Sequence, residues 1–206
     1  MHKQYVSRSL DLKHPNLSSV KELWIKKVDN IREKILSSLK IDDYLYEIAF
    51  SSITYALGIA ESAISYLQDA SLDYGDKVKE VTVAHKRLEN LNSYELLNPF
   101  NIIIDSPMRD IADLISLDII NKDNIENVIS SYQMDKQMAS ILLARVLFPS
   151  FFFDVLEEGY AIKKDVKKEI INYHNLIDQN RQKMTYIHNY LVNRYGIRPV
   201  NWLLLK

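Results

Sequence analysis

The hydrophobic rhythm of this chain changes in one region, and that change limits how it can fold. Between about Val78 and Ile104, β-branched residues gather in two short runs: Val78, Val81, Thr82 and Val83 before a polar stretch, and Phe100 to Ile104 after it. Turn formers bound each run, Gly75-Asp76 ahead of the first and Asn98-Pro99 ahead of the second, which is the pattern of two short strands around a loop. Elsewhere apolar residues recur at helical spacing, as in a helix with one buried face. Only four glycines and five prolines are present to interrupt these segments, so long flexible linkers are not expected. Helices are predicted at about 18–39, 43–69, 108–119, 123–131, 134–148, 151–158 and 163–193. The first opens on a Ser18/Ser19 cap with Glu22 nearby, and the second follows Asp42/Asp43. Asp135 and Lys163-Lys164-Asp165 punctuate the later ones, and Tyr195-Gly196 closes the last.

A chain of 206 residues with 47% hydrophobic content and a net charge of −1 is long enough for one sizeable core. The absence of cysteine excludes disulfides and thiolate metal sites and fits a reducing compartment. The opening MHKQYVSRSLDLKHP holds no apolar stretch of signal-peptide length, and the most apolar run, Ile141 to Leu156, contains Arg145, Pro149 and Asp154. A cytoplasmic chain without membrane attachment is the expectation. Residues 1–40 carry a net charge of +5 and the remainder −6. This basic segment reads as an amphipathic helix, with Leu23, Trp24, Val28, Ile31, Ile35 and Leu39 as its apolar stripe and lysines between them. No aromatic-interleaved basic stripe accompanies the charge, so nucleic-acid binding is not expected. The division is then 1–40, an N-terminal amphipathic helical segment, and 41–206, a helical domain.

The polar stretch between the two strands, residues 85–92, reads HKRLENLN. It follows the catalytic-loop pattern of protein kinases, H-R-D-L-x-x-x-N, in which the Asp accepts the substrate hydroxyl proton and the Asn holds a metal ion. His85, Leu88 and Asn92 stand at the His, Leu and Asn of that pattern, while Arg87 stands at the place of the base. Asp105, at the end of the run Ile102-Ile103-Ile104, stands where such folds put a second metal-binding carboxylate. Read from residues alone, the alternative is an ordinary β-hairpin with a structural histidine and a solvated asparagine.

Four segments carry a resemblance: YALGIAESAISYL (Tyr55 to Leu67), VTVAHKRL (Val81 to Leu88), IIIDSPMRDIADLI (Ile102 to Ile115) and ARVLFPSFFFDVLEEGY (Ala144 to Tyr160). In their order and spacing the chain resembles the C-terminal lobe of the aminoglycoside-phosphotransferase-like kinases, and within them the spore-coat kinase-like proteins of the YutH type. The resemblance implies a mainly α fold: a helical kinase-like C-terminal lobe with one short β-hairpin flanking a degenerate catalytic loop, the small β-rich lobe absent. The first glycine is Gly58, inside a predicted helix, so no glycine-rich phosphate-covering loop precedes the catalytic region. By the same resemblance Asp110 in the SPMRD segment braces the loop backbone, and His85 is structural.

The function these readings imply is that of a catalytically degenerate, pseudokinase-like binding or structural component, cytoplasmic or associated with the spore coat. A protein partner or self-association is expected, and no cofactor. The alternative is a phosphotransferase of the aminoglycoside or choline kinase type. It would use Asn92 and Asp105 for Mg-ATP, with the small lobe supplied by another chain. Arginine is effectively always protonated, so Arg87 cannot act as a base; it is expected to pair with Asp105 or Asp110. His174 and His188, expected on one long final helix, lack an acid spaced to complete a metal site with either and are expected at the surface or facing a partner. Phe148, Phe151, Phe152 and Phe153 are expected to fill the core.

Overall fold

The structure, a computed structural model, describes residues 15–38, 45–88 and 91–204. Ten α-helices and one two-stranded antiparallel sheet are seen among the described residues. They are α1 (Leu17–Asn30), α2 (Tyr46–Tyr74), β1 (Thr82–His85), α3 (Ser93–Leu97), β2 (Ile102–Asp105), α4 (Met108–Ser116), α5 (Ile125–Ser130), α6 (Lys136–Leu147), α7 (Ser150–Ile162), α8 (Lys167–Asn175), α9 (Ile177–Tyr195) and α10 (Asn201–Leu204). The fold is mainly α, as the periodicity requires.

The core is built around α2 and α6. In α2 the buried positions Ile53, Ala56, Ala60, Ala63, Leu67 and Ala70 follow helical spacing, and the alanines let neighbouring helices approach closely. By length and composition α2 could cross a bilayer, but that apolar face lies in the core, where the helix packs on α1, α6 and α8. It ends at Gly75, whose φ of 92° would strain any residue with a Cβ. Most of α6 is buried, including Gln137. Gln137 accepts from the Lys79 N–H at 3.1 Å and donates to the carbonyls of Gly75 and Lys77, which fixes the turn leaving α2.

Trp24, Val28, Ile31 and Ile35 enter the same core, the last two on a π-helical turn, Ile31–Ile35, that continues α1. Leu23 faces outward instead, and Leu39 lies outside the described residues. Trp24 stacks on Phe148 with ring centroids 4.2 Å apart, tying the N-terminal helix to the end of α6. The Ser18/Ser19 cap is corrected: Asn16 occupies the cap position and caps nothing with its side chain. Ser18 donates through both N–H and Oγ to Asp76 Oδ1, at 2.8 and 2.6 Å, and the Leu17 N–H reaches the Asp76 carbonyl. A residue 58 positions away thus satisfies the orphan donors at the start of α1. The bond from the Ser18 hydroxyl is the main reason the Asp76 carboxyl lies below its ordinary pKa. The predicted Asp42/Asp43 start of α2 lies outside the described residues.

Pro149 interrupts the helical run after α6, and α6 and α7 are bent by 43° around it. The single helix predicted over 163–193 is two, divided at Leu176, where φ is −96° and ψ is 0°. Neither glycine nor proline marks that break; it arises because α8 packs on α2 and α7 while α9 packs on α6. His174 and His188 therefore sit on different helices. His174 shares a hydrogen bond with Ser52 Oγ at 3.0 Å, and His188 is fully buried, not at the surface.

Candidate functional site

The two strands pair as predicted, with Thr82 opposite Asp105, Val83 opposite Ile104, Ala84 opposite Ile103 and His85 opposite Ile102. This register presents the loop after His85 toward α4. The backbone of the loop is held at every residue from 85 to 88. The His85 N–H donates to Asp110 Oδ1 at 2.9 Å, and the Lys86 N–H to the Asn101 carbonyl at 2.7 Å. The Arg87 N–H donates to Asn101 Oδ1, while Asn101 Nδ2 returns a bond to the Arg87 carbonyl at 2.8 Å. The Leu88 N–H donates to Asp113 Oδ2 at 3.0 Å. Asp110 and Asp113 are three residues apart, so one face of α4 supplies both acceptors.

Around the ring of His85, Nδ1 lies 2.8 Å from Asp110 Oδ2 and Nε2 3.3 Å from the Leu96 carbonyl. Both neighbours accept, so both nitrogens are best satisfied when protonated. Burial is the largest single influence and pulls the pKa down, but the bonds to Asp110 and Leu96 and the charges of Asp110 and Asp113 outweigh it and raise the net value. An imidazolium so engaged has no lone pair for a substrate proton.

Asp105 is 4% exposed and fully engaged. It accepts from the Ser106 N–H at 2.7 Å, Arg109 Nη1 at 2.9 Å and Arg145 Nη2 at 2.8 Å. Burial pushes its pKa up, but Arg145 and Arg109 more than offset this and hold the carboxyl below its ordinary value. Arg109 also donates to the Lys86 carbonyl, so one guanidinium links the loop to the end of β2. The expected pairing of Arg87 is corrected. Its partners are Asp113, 3.4 Å from Nη1, and Asp154, and its guanidinium carbon lies 4.8 Å from the centre of the Phe151 ring. Asp105 was unavailable because Arg109 and Arg145 occupy it, and Asp110 because His85 does. Asp154 is also bound by Lys27 of α1, which reaches Glu157 at 3.1 Å. Phe148, Phe152 and Phe153 are buried as expected, whereas Phe151 is half-buried beneath Arg87.

A magnesium ion at Asp105 does not fit this donor set. The carboxylate already accepts two guanidinium N–H bonds, and an added dication would face both cations at close range. Asn92 is exposed, and its carbonyl accepts the Leu96 N–H at the start of α3. Among the described residues, no group of three or more histidines and carboxylates is placed to hold a metal.

The family model described as "Spore coat putative kinase YutH" matches residues 2–190. The chain belongs to the YutH family of spore-coat kinase-like proteins. It is similar to the Endospore coat-associated protein YutH of Bacillus subtilis (strain 168), at 24% identity over 162 residues, covering 71% of this chain and 48% of that relative. The chain thus spans about half the length of the curated relative it matches. No solved structure matches it. In this YutH-family chain the loop pattern pointed to His85 and Arg87 and the family resemblance to Asp110, but Asn101, Asp113, Arg145 and Asp154 were missed. One signal was available: Arg145 is the lone charge in the apolar stretch 141–147 and had to be paired if buried.

Proposed function

We propose that this chain is a spore-coat-associated, kinase-like protein that binds or scaffolds and transfers no phosphoryl group. Spore-coat association comes from the family and from the relative's name. The degenerate character is carried by one observation: at the two places where phosphoryl transfer needs a free carboxylate, an arginine either replaces it or engages it. At the base position Arg87 is clamped between Asp113 and Asp154, and at the metal position Asp105 is neutralised by Arg109 and Arg145. Transfer depends on placing a metal-bound phosphate against an activated hydroxyl. Among the described residues, Arg87 at the base position offers no proton acceptor and Asp105 no open face to a metal.

A binding role is supported by the outer face of the hairpin region, where Val83, Tyr94, Leu97 and Phe100 are exposed. The test is a phosphotransfer assay of the purified chain with Mg-ATP against sugar, aminoglycoside and protein hydroxyls, with melting followed in parallel, since a ligand that binds only the folded state raises its stability. No turnover is expected. Turnover that is abolished in Asp105→Asn while the variant stays folded would overturn the reading.

A further inference from the structure

A cavity of about 720 Å³ lies between α1, with its π-helical extension, and the wall formed by the loop, α4 and α6. That volume is within the range of small-molecule sites, roughly 300–1,000 Å³. Its lining is polar and rich in cations: Lys26, Lys27 and Lys34 from the N-terminal side, and Arg87, Arg109 and Arg145 from the other. Four acids, Asp29, Glu33, Asp113 and Glu157, also line it, which leaves the wall with an excess of positive charge. The inner acids are already engaged. Asp113 accepts from the Leu88 N–H and Arg87, and Glu157 from Asn30 and Lys27. At the rim, Lys26 and Lys34 are exposed and form no ion pair among the described residues.

The hydrogen-bonding state of the inner wall shows a second feature. The Nε atoms of Arg87, Arg109 and Arg145 are all buried without an acceptor, and Asn30 Oδ1, on the same cavity, is buried without a donor. Each guanidinium is thus held through its Nη atoms alone. Unsatisfied buried polar atoms are uncommon in native proteins, and such an atom calls for a bound group or a rearrangement that satisfies it. All three arginines line this one cavity, and the several acceptor oxygens of a phosphate group are what arginine recognises in bidentate fashion.

We propose that this cavity is a binding site for a phosphorylated small molecule, held directly by guanidinium and ammonium groups without a divalent cation. The inference rests on the reading of the loop as non-catalytic: the arginines that displace base and metal there become the anion-binding wall. Lys26 and Lys34 draw the anion in, and the arginines complete their donor sets on its oxygens by rotating at the ends of their side chains.

Pyrophosphate, titrated calorimetrically in EDTA at fixed ionic strength, is the probe. Saturable binding is expected, weakening as salt rises. The double variant Lys26→Gln/Lys34→Gln alters only exposed, unpaired side chains, so it stays folded; it is expected to bind severalfold more weakly. Arg109→Lys keeps a cation beside Asp105 but removes the fork, and is expected to cost about tenfold in affinity, the scale of one charge-assisted hydrogen bond. No saturable heat up to about 10 mM pyrophosphate, binding that requires magnesium, or equal affinity in the parent and both variants would overturn the proposal. The reading of the loop fails by a different result, phosphotransfer with Mg-ATP, so the two failures cannot be confused.

Discussion

Arg145 Nη2 lies 2.8 Å from Asp105 Oδ2, joining the last turn of the buried helix α6 to the last residue of β2 across 40 positions of sequence. Both side chains are nearly inaccessible, at 11% and 6% exposure, so each depends on the other to remain charged in the interior. The pair fixes the hairpin, and with it the loop, to the centre of the core.

Replacing Arg145 by methionine keeps the volume but, among the described residues, leaves Asp105 with Arg109 as its only cationic partner. Arg145→Met is expected to destabilise the fold by about 3 kcal/mol, the scale for breaking a buried pair from one side. Denaturant unfolding measures this directly. Because the folded pKa of Asp105 lies below its ordinary 3.8, its stabilising contribution is complete above that value and is lost as pH falls through the lower folded value. The variant should therefore begin to unfold at higher pH than the parent in an acid titration. An unchanged acid edge would show that Arg145 does not hold the Asp105 charge.

Arg87 is partly exposed and one of its partners, Asp154, is more than a third exposed, so solvent screens part of their attraction. Arg87→Ala is expected to cost about 2 kcal/mol, less than a fully buried pair. Arg87→Asp should cost more, since it places a third carboxylate beside Asp113 and Asp154 and restores no catalysis. Chemical melts of the two variants side by side test the order. An Arg87→Asp protein as stable as the parent would show that the clamp contributes nothing.

The parts of this molecule that were legible in the sequence are those set by local chemistry. The 3.6-residue period located the helices, the β-branched runs located the hairpin, and the loop pattern located His85 and Arg87, while Asp110 came from the family resemblance. What was not legible depends on partners distant in sequence. The donors at the start of α1 are satisfied by Asp76, which no local capping rule could indicate. The division at Leu176 comes from two helices docking on different neighbours. Arg87 could not be assigned to Asp113 and Asp154 without knowing that α7 passes over the loop and that Asp105 is already occupied.

Gly159 lies on α7 against the chain leaving that helix. A Cβ there would clash with Val166 Cγ1 and lie 3.4 Å from the Lys164 carbonyl oxygen. Val166 is β-branched and has little rotamer freedom to withdraw. Gly159→Ala is expected to cost about 1–3 kcal/mol by overpacking, despite the higher helix propensity of alanine. The double variant Gly159→Ala/Val166→Ala should recover part of that loss in a thermal melt. Failure to recover any would place the strain elsewhere.

His188 is expected to set a pH dependence of its own. Its ring is fully buried on α9; Nε2 accepts the Val200 N–H at 2.9 Å and Nδ1 lies 2.9 Å from Asn189 Oδ1. This arrangement requires the neutral tautomer with the proton on Nδ1, because a protonated Nε2 would face the Val200 N–H with no lone pair. Burial lowers its pKa below the ordinary 6.5, more than the Asn189 bond raises it. The unfolded chain then takes up the proton first, so the contribution of His188 is complete above pH 6.5 and shrinks as pH falls below it. His85 acts with the opposite sign: its pKa is raised, so its contribution is present at low pH and lost as pH rises through the folded value. Measured between pH 5 and 8, His188→Gln should flatten the loss of stability on the acid side, whereas His85→Gln should flatten the loss on the alkaline side. Both substitutions leaving the pH profile unchanged would show that neither ring changes protonation with folding.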